Sequence, residues 1–237
     1  MQDQRTKTRG RIVWMVLFVL LSGGVMRAQT AEALPEVDGY FKLNSAWRVS
    51  VQAKDTKEDA KPGQAEVGPS VEYYVNNLFS SKRDKDEHLD DSKSTVLVLD
   101  AGYRYLFPSN SPAENRIRID ETLHFPARGR LLFSDRNRED LDWSEGAFSW
   151  RYRNCLTVER DEEIRAYKFT QYAAVEPYYE SQYGKWSTTA LYAGVILPLG
   201  HHVGFTAYYE HQNNTGGTSN KQLNGIGLLL ELYFARR

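Results

Sequence analysis

Beyond about residue thirty, apolar and polar residues alternate with a period of two along almost the whole chain. Arg116-Ile117-Arg118-Ile119-Asp120 shows the pattern plainly: one parity is charged, the other aliphatic. A period of two places the two sets on opposite faces of a strand. A strand with charge on one face and grease on the other suits a barrel that meets lipid outside and is polar inside. The alternation divides into about ten strands, with eight or twelve as alternatives. The first covers Tyr40 to Ala53, the second Glu66 to Phe79, the third Thr95 to Phe107 and the fourth Asn115 to Phe125. A Pro126-Ala127-Arg128-Gly129 turn leads to the fifth, which ends near Arg138. The rest are Phe148 to Glu159, Tyr167 to Gln182, Thr188 to Leu199, Val203 to Gln212 and Leu223 to Phe234. Many of these are long enough for a tilted membrane crossing. The fold class expected is all-β: a closed, antiparallel, up-and-down transmembrane barrel.

Parity sorts the faces. The outward set includes Phe41, Trp47, Val71, Leu99, Ile117, Ile119, Trp150, Leu156, Val195, Tyr209, Leu228 and Phe234. The inward set is ionic: Glu72, Arg104, Arg116, Arg118, Asp120, Arg130, Arg136, Arg138, Arg151, Arg153, Glu176, Glu180, Glu210 and Glu231, joined by Asp100, His124 and Ser134. Arginines crowd the middle strands and acids the early and late ones. Closing the barrel brings first strand to last, so an acidic arc faces an arginine arc across the lumen. Isolated charges in so narrow a space would be costly, so pairing is expected. The lumen should be largely filled and pass at most water or small ions, with any leak favouring anions.

The first residues set the compartment. Met1 to Arg11 carries Arg5, Lys7, Arg9 and Arg11, and an uninterrupted apolar run follows from Ile12 to Leu21. That run is short of the roughly 20 residues that span a bilayer. With small residues after it, it reads as a secretory signal peptide cleaved after Ala28, with Ala31-Glu32-Ala33 as a second site, leaving residues 29–237 as a single domain. Composition agrees. Thirty basic and 31 acidic residues give a net charge of −1 and no electrostatic case for nucleic acid. Mean hydropathy is −0.58, too polar for a helical membrane protein but not for a barrel. Fifteen Tyr and ten Phe suit strands and interfacial belts. Cys155 is the sole cysteine, so no intrachain disulfide forms. A soluble sandwich or lipocalin-like barrel also alternates, but export, strand length and the Tyr/Trp content favour the membrane.

The segments Leu131-Leu132-Phe133-Ser134-Asp135-Arg136-Asn137-Arg138-Glu139-Asp140-Leu141 and Phe148-Ser149-Trp150-Arg151-Tyr152-Arg153-Asn154-Cys155 resemble the exported family catalogued as domain of unknown function 2490. Tyr208-Tyr209-Glu210-His211-Gln212-Asn213-Asn214 and the closing Leu232-Tyr233-Phe234 are similar to it too. The likeness runs from about Leu34 to Phe234 and implies an outer-membrane-type barrel. Cys155 departs from it, standing where an Arg would continue the R-x-R-x face. The last strand also resembles the terminal strand of bacterial outer-membrane proteins, with Ala235-Arg236-Arg237 added after its Phe. The partners implied are outer-membrane lipid and, during biogenesis, the barrel-assembly machinery.

Catalysis needs a nucleophile, a base and an orienting group on one face. The candidates are His124, His201, His202 and His211 with Ser134, Ser149, Glu210 and Asp120, and none forms a recognisable hydrolase motif. His201-His202 has no third metal ligand nearby. Ser80 to Lys93 is acidic but lacks the glycine and terminal glutamate of a calcium loop, and reads as a solvated polyampholyte. No cofactor or metal is expected. The expected role is non-enzymatic, structural or that of a narrow small-solute or ion channel. The alternatives are an outer-membrane lipid or lipopolysaccharide hydrolase and a soluble periplasmic binding barrel.

Overall fold

The computed structural model describes residues 30–58, 61–75, 89–165, 167–217 and 220–235, so residues 1–28, expected to be a signal peptide, lie outside the described residues. Among the described residues, eleven strands close into one barrel. They are β1 (Thr30–Lys42), β2 (Trp47–Glu58), β3 (Lys61–Tyr74), β4 (Leu97–Pro108), β5 (Glu114–Ala127) and β6 (Leu131–Ser144), then β7 (Ala147–Ile164), β8 (Tyr167–Glu180), β9 (Lys185–Pro198), β10 (Val203–Asn214) and β11 (Lys221–Ala235). Each pairs antiparallel with the next, and β1 closes on β11 in parallel, from Thr30 opposite Leu223 to Lys42 opposite Ala235.

The expected count of about ten misses one strand, and the first segment explains why. Tyr40 to Ala53 is not one strand but the end of β1, a turn at residues 43–46 and the start of β2. Asn44 builds the turn: its side-chain oxygen accepts the N–H groups of Ala46 at 2.8 Å and Trp47 at 3.0 Å. The turn has an even number of residues, so Phe41 and Trp47 keep the same parity on either side of it. Alternation therefore passes through without a break. The odd total also corrects the all-antiparallel expectation at a single seam. With β1 and β11 parallel, Thr30 and Ala235 lie at opposite mouths.

The barrel carries its apolar side chains outside. Ile226 is 62% exposed and Leu228 47%, while the buried set is mostly polar or charged, with Arg104, Asp140 and Glu176 each 1% exposed. Aromatic residues mark both rims. Phe41 stacks on Phe234 at 4.9 Å and Trp47 meets Tyr73 at 4.7 Å near the Ala235 mouth. Trp143 meets Phe148 at 5.2 Å and Trp150 stacks on Tyr179 at 5.4 Å near the other. Trp47, Trp143, Trp150 and Trp186 are all exposed and all lie within four residues of a strand end. One outer patch breaks the apolar belt. On β5 to β7, Glu121, Asp135, Asn137, Glu139 and Asn154 sit mid-strand, with Asn154 donating to Asp135 at 2.6 Å and to Asn137 at 3.0 Å.

Candidate functional site: the ionic lumen

The lumen wall is built of ion pairs between neighbouring strands. Alternation turns every second residue inward, and antiparallel register sets Arg opposite acid. Arg138 lies opposite Asp120 and holds it through two bonds, Nε to Oδ1 at 2.7 Å and Nη2 to Oδ2 at 2.6 Å. Arg116 faces Asp142 at 2.6 Å, and Arg151 faces Asp140 at 3.3 Å. Arg48 faces Glu72, donating at 2.9 Å. Glu176 accepts from Arg153 at 3.0 Å and from Arg136 at 2.9 Å. A paired guanidinium with further hydrogen bonds avoids the penalty of an isolated buried charge.

This differs from two arcs meeting across the lumen. The arginine strands carry their own acids, Asp120, Asp140 and Asp142. The last two escape the sequence pattern because the expected fifth strand stops at Arg138, whereas β6 runs on to Ser144. Links across the barrel do exist. The Gln52 side-chain oxygen on β2 accepts from Arg104 on β4 and Arg118 on β5, each at 3.0 Å, while its amide donates to Glu36 on β1.

Among the described residues Arg104 has no carboxylate within ion-pair distance, and Pro69 explains why one is not needed. The β3–β4 pairing is interrupted between Val67 opposite Tyr105 and Ser70 opposite Gly102, where Pro69 has no N–H to donate. The Arg104 guanidinium fills the gap. It donates to the Pro69 carbonyl at 2.9 Å, the Tyr103 carbonyl at 2.8 Å and Ser70 Oγ at 3.0 Å.

The connection from β3 to β4 bends back into the barrel at the Ala235 mouth. Its described part includes a short 3-10 helix, Asp91–Ser94, capped by Asp90, whose side chain accepts the Ser92 N–H at 3.1 Å. This strap is tied on both sides. Asp90 binds Arg48 at 2.7 Å and Asp91 binds Lys42, while Lys93 reaches Glu159 on β7 at 2.7 Å. Burial pushes the Asp90 carboxyl up, but Arg48, Lys93 and the Ser92 N–H outweigh it and hold it well below the usual carboxylate range. Burial lowers the Lys93 ammonium, and Glu159 with Asp90 raises it further the other way, to a net rise. Residues 89–93 are therefore not the solvated loop expected of them; residues 80–88 lie outside the described residues.

Above the strap lies a cavity of about 550 Å³, lined by ten carboxylates and nine cationic side chains. Glu72, Arg104, Arg116, Arg118, Asp120, Arg136, Arg138, Arg153 and Glu176 line it. Arg151 and Glu180 pair on the wall at 3.8 Å. Glu210 is 7% exposed, and Glu231 accepts from Tyr233 at 2.9 Å. Arg130 does not belong to the lumen. The turn after β5 continues through Gly129 and Arg130, both at positive φ, so Arg130 stands exposed at the rim, 3.7 Å from Glu163. Lumen residues overlooked in the sequence include Glu36, Asp38, Arg48, Lys54, Glu66 and Glu159. Parity within the expected strands already covers Arg48, Glu66 and Glu159, and extending the first of them to the full lengths of β1 and β2 adds Glu36, Asp38 and Lys54; Asp90 and Lys93 follow no periodic signal.

The hydrolase candidates scatter, with one contact among them. His124 and Ser134 lie opposite each other and meet at 3.1 Å inside the lumen. His211 meets Asn224 at 2.9 Å, and His202 donates to the Tyr233 carbonyl at 3.0 Å at the rim. Cys155 sits opposite Arg136, with its sulfur 3.6 Å from Thr157 Oγ1.

The family model described as protein of unknown function (DUF2490) matches residues 35–223, from β1 into the start of β11. The chain belongs to this family. The ionic wall of β5 to β7 thus lies inside the DUF2490 region. No curated protein matches the chain. Among solved structures, it is similar to a "Bacterial polysaccharide outer membrane secretin", with 9% identity and a TM-score of 0.50. The match covers 77% of this chain and 63% of that one, so the chain spans less than two thirds of its length. At that identity the likeness concerns the barrel fold alone.

Proposed function

We propose that this DUF2490 protein is an outer-membrane β-barrel that catalyses no reaction and whose ion-paired lumen is structural or a narrow conduit for water and small ions. The observation that carries the reading is the reversal of inside and outside. A barrel folded in water hides its apolar face in a core and shows its polar one. Here Leu228 and Ile226 face out and Arg104 and Glu176 face in, with aromatic residues at both rims, the pattern of a barrel in lipid. The solved neighbour is itself described as an outer-membrane protein, which agrees with this placement.

The balanced charge of the cavity lining favours weak ion selectivity over an anionic preference. The test is paired. The mature chain should need detergent or lipid to stay dispersed and shift its gel mobility on heating. In planar bilayers it should give conductance far below that of a porin. Recovery as a detergent-free soluble protein contradicts the membrane placement; large, stable conductance contradicts the filled lumen.

The contact of His124 with Ser134 favours one second reading, hydrolysis inside the barrel. If it holds, Ser134→Ala abolishes ester hydrolysis by the folded barrel; if the folded parent hydrolyses no ester, it fails.

A further inference from the structure

The outer polar patch sits where lipid would be driest. Phe133 and Trp143, both exposed, stand toward the two ends of β6, and Asp135, Asn137 and Glu139 share their parity between them. Register sets Glu121 of β5 opposite Asn137, Asn137 opposite Asn154 of β7, and Glu139 opposite Tyr152. Six polar side chains thus meet near the midpoints of three neighbouring strands. In a barrel that meets lipid, outward residues at that depth are apolar, and a charge there is costly.

The hydrogen bonding shows what the patch lacks. Tyr152 donates to Asn137 at 2.5 Å, and Asn154 donates to Asp135 and Asn137. These bonds use the phenol and both amide hydrogens of Asn154, so few donors are left. The Glu121 and Glu139 carboxylates have no hydrogen bond or ion pair among the described residues. No described lysine or arginine faces outward in the middle of a strand. Arg160, on the same face of β7, stands near the rim opposite Leu131 and pairs with Glu162 at 3.0 Å. Acyl chains supply no donor. A second copy would set the same three carboxylates against these three and bring no cation. A guanidinium or ammonium at this depth supplies both the charge and the donors, and a carboxylate partner is what such a group needs in a membrane.

We propose that the outer face of β5 to β7 docks a membrane-embedded segment of another protein that presents arginine or lysine at mid-bilayer depth. The proposal rests on the membrane reading of the barrel. The test reconstitutes the full mature chain in phosphatidylcholine vesicles with dansyl-labelled leucine helices of about 20 residues, long enough to span the bilayer. One helix has arginine at its centre, one glutamate and one leucine throughout. Energy transfer from the barrel tryptophans reads association. The arginine helix should associate saturably and at least tenfold more tightly than the other two. The double variant Glu121→Gln with Glu139→Gln should lose that preference while keeping its heat-modifiable gel shift. Should it fail to insert, the comparison of the three helices on the parent still decides. An inserted parent that binds all three alike, or none, overturns the proposal. So does a parent whose copies join through the patch, read as disulfide-linked dimers of Asn137→Cys in a Cys155→Ser background. A parent that needs no detergent and does not insert overturns the membrane reading instead.

Discussion

Tyr40 and Tyr233 stack at 5.0 Å with their rings 14° apart, on the lumen side of the seam where β1 runs parallel to β11. Phe41 and Phe234, the next pair along, stack on the outside. Parallel neighbours in register turn the same way, so the seam zips the two strands with one aromatic pair on each face. A parallel closure follows from an odd strand number. Epitopes placed immediately before Thr30 and after Ala235 should therefore be accessible from opposite sides of a sealed membrane. Finding both on one side contradicts the eleven-stranded closure.

Arg104 satisfies two carbonyls that the interrupted β3–β4 ladder leaves free. Arg104→Leu keeps bulk but strands both, and should cost about 3 kcal/mol. Urea unfolding in lipid vesicles measures it. A variant as stable as the parent would show that the gap at Pro69 needs no guanidinium.

The outer face predicts two substitutions of opposite sign. Leu228→Arg puts a charge mid-strand on the apolar side and should destabilise the inserted barrel by about 2–4 kcal/mol. Glu139→Leu removes one from the polar patch on β6 and should stabilise it. The same vesicle unfolding assay reads both. Equal effects on Leu228 and Glu139 variants would mean that this face does not meet lipid.

Much of this arrangement is legible in the residues. Strict alternation over Arg116 to Asp120 assigns faces because a strand has no other period. It fails where its assumptions fail. The Asn44 turn preserves parity and so hides a strand boundary. Asp140 and Asp142 drop out when the strand is ended at Arg138, and with them goes the neighbour-to-neighbour pairing of Arg116 and Arg151. Arg130 reads as a strand residue because positive φ at a non-glycine residue has no signal in composition. The strap is illegible for a different reason. Asp90 and Lys93 find Arg48 and Glu159 through closure of the whole barrel, not through anything near them in the chain.

The strap should loosen in acid. The Asp90 carboxyl is held below its ordinary value of 3.8, so it adds stability that is fully present above that value. The contribution is lost as pH falls below it toward the depressed folded value. Conductance should therefore rise reversibly in strong acid in the parent. Asp90→Asn should show raised conductance at neutral pH and a smaller acid-dependent rise. An unchanged acid response in Asp90→Asn would remove Asp90 from control of this mouth.

The most direct test of the account uses the tryptophans. Trp47, Trp143, Trp150 and Trp186 all face outward near the strand ends, two rims' worth of reporters with none in the described lumen. Their fluorescence should be quenched by brominated lipids in reconstituted vesicles. Bromines placed just below the headgroups should quench more strongly than bromines at the bilayer centre. Fluorescence unaffected by brominated lipid at any depth would contradict a barrel with its apolar face in the membrane.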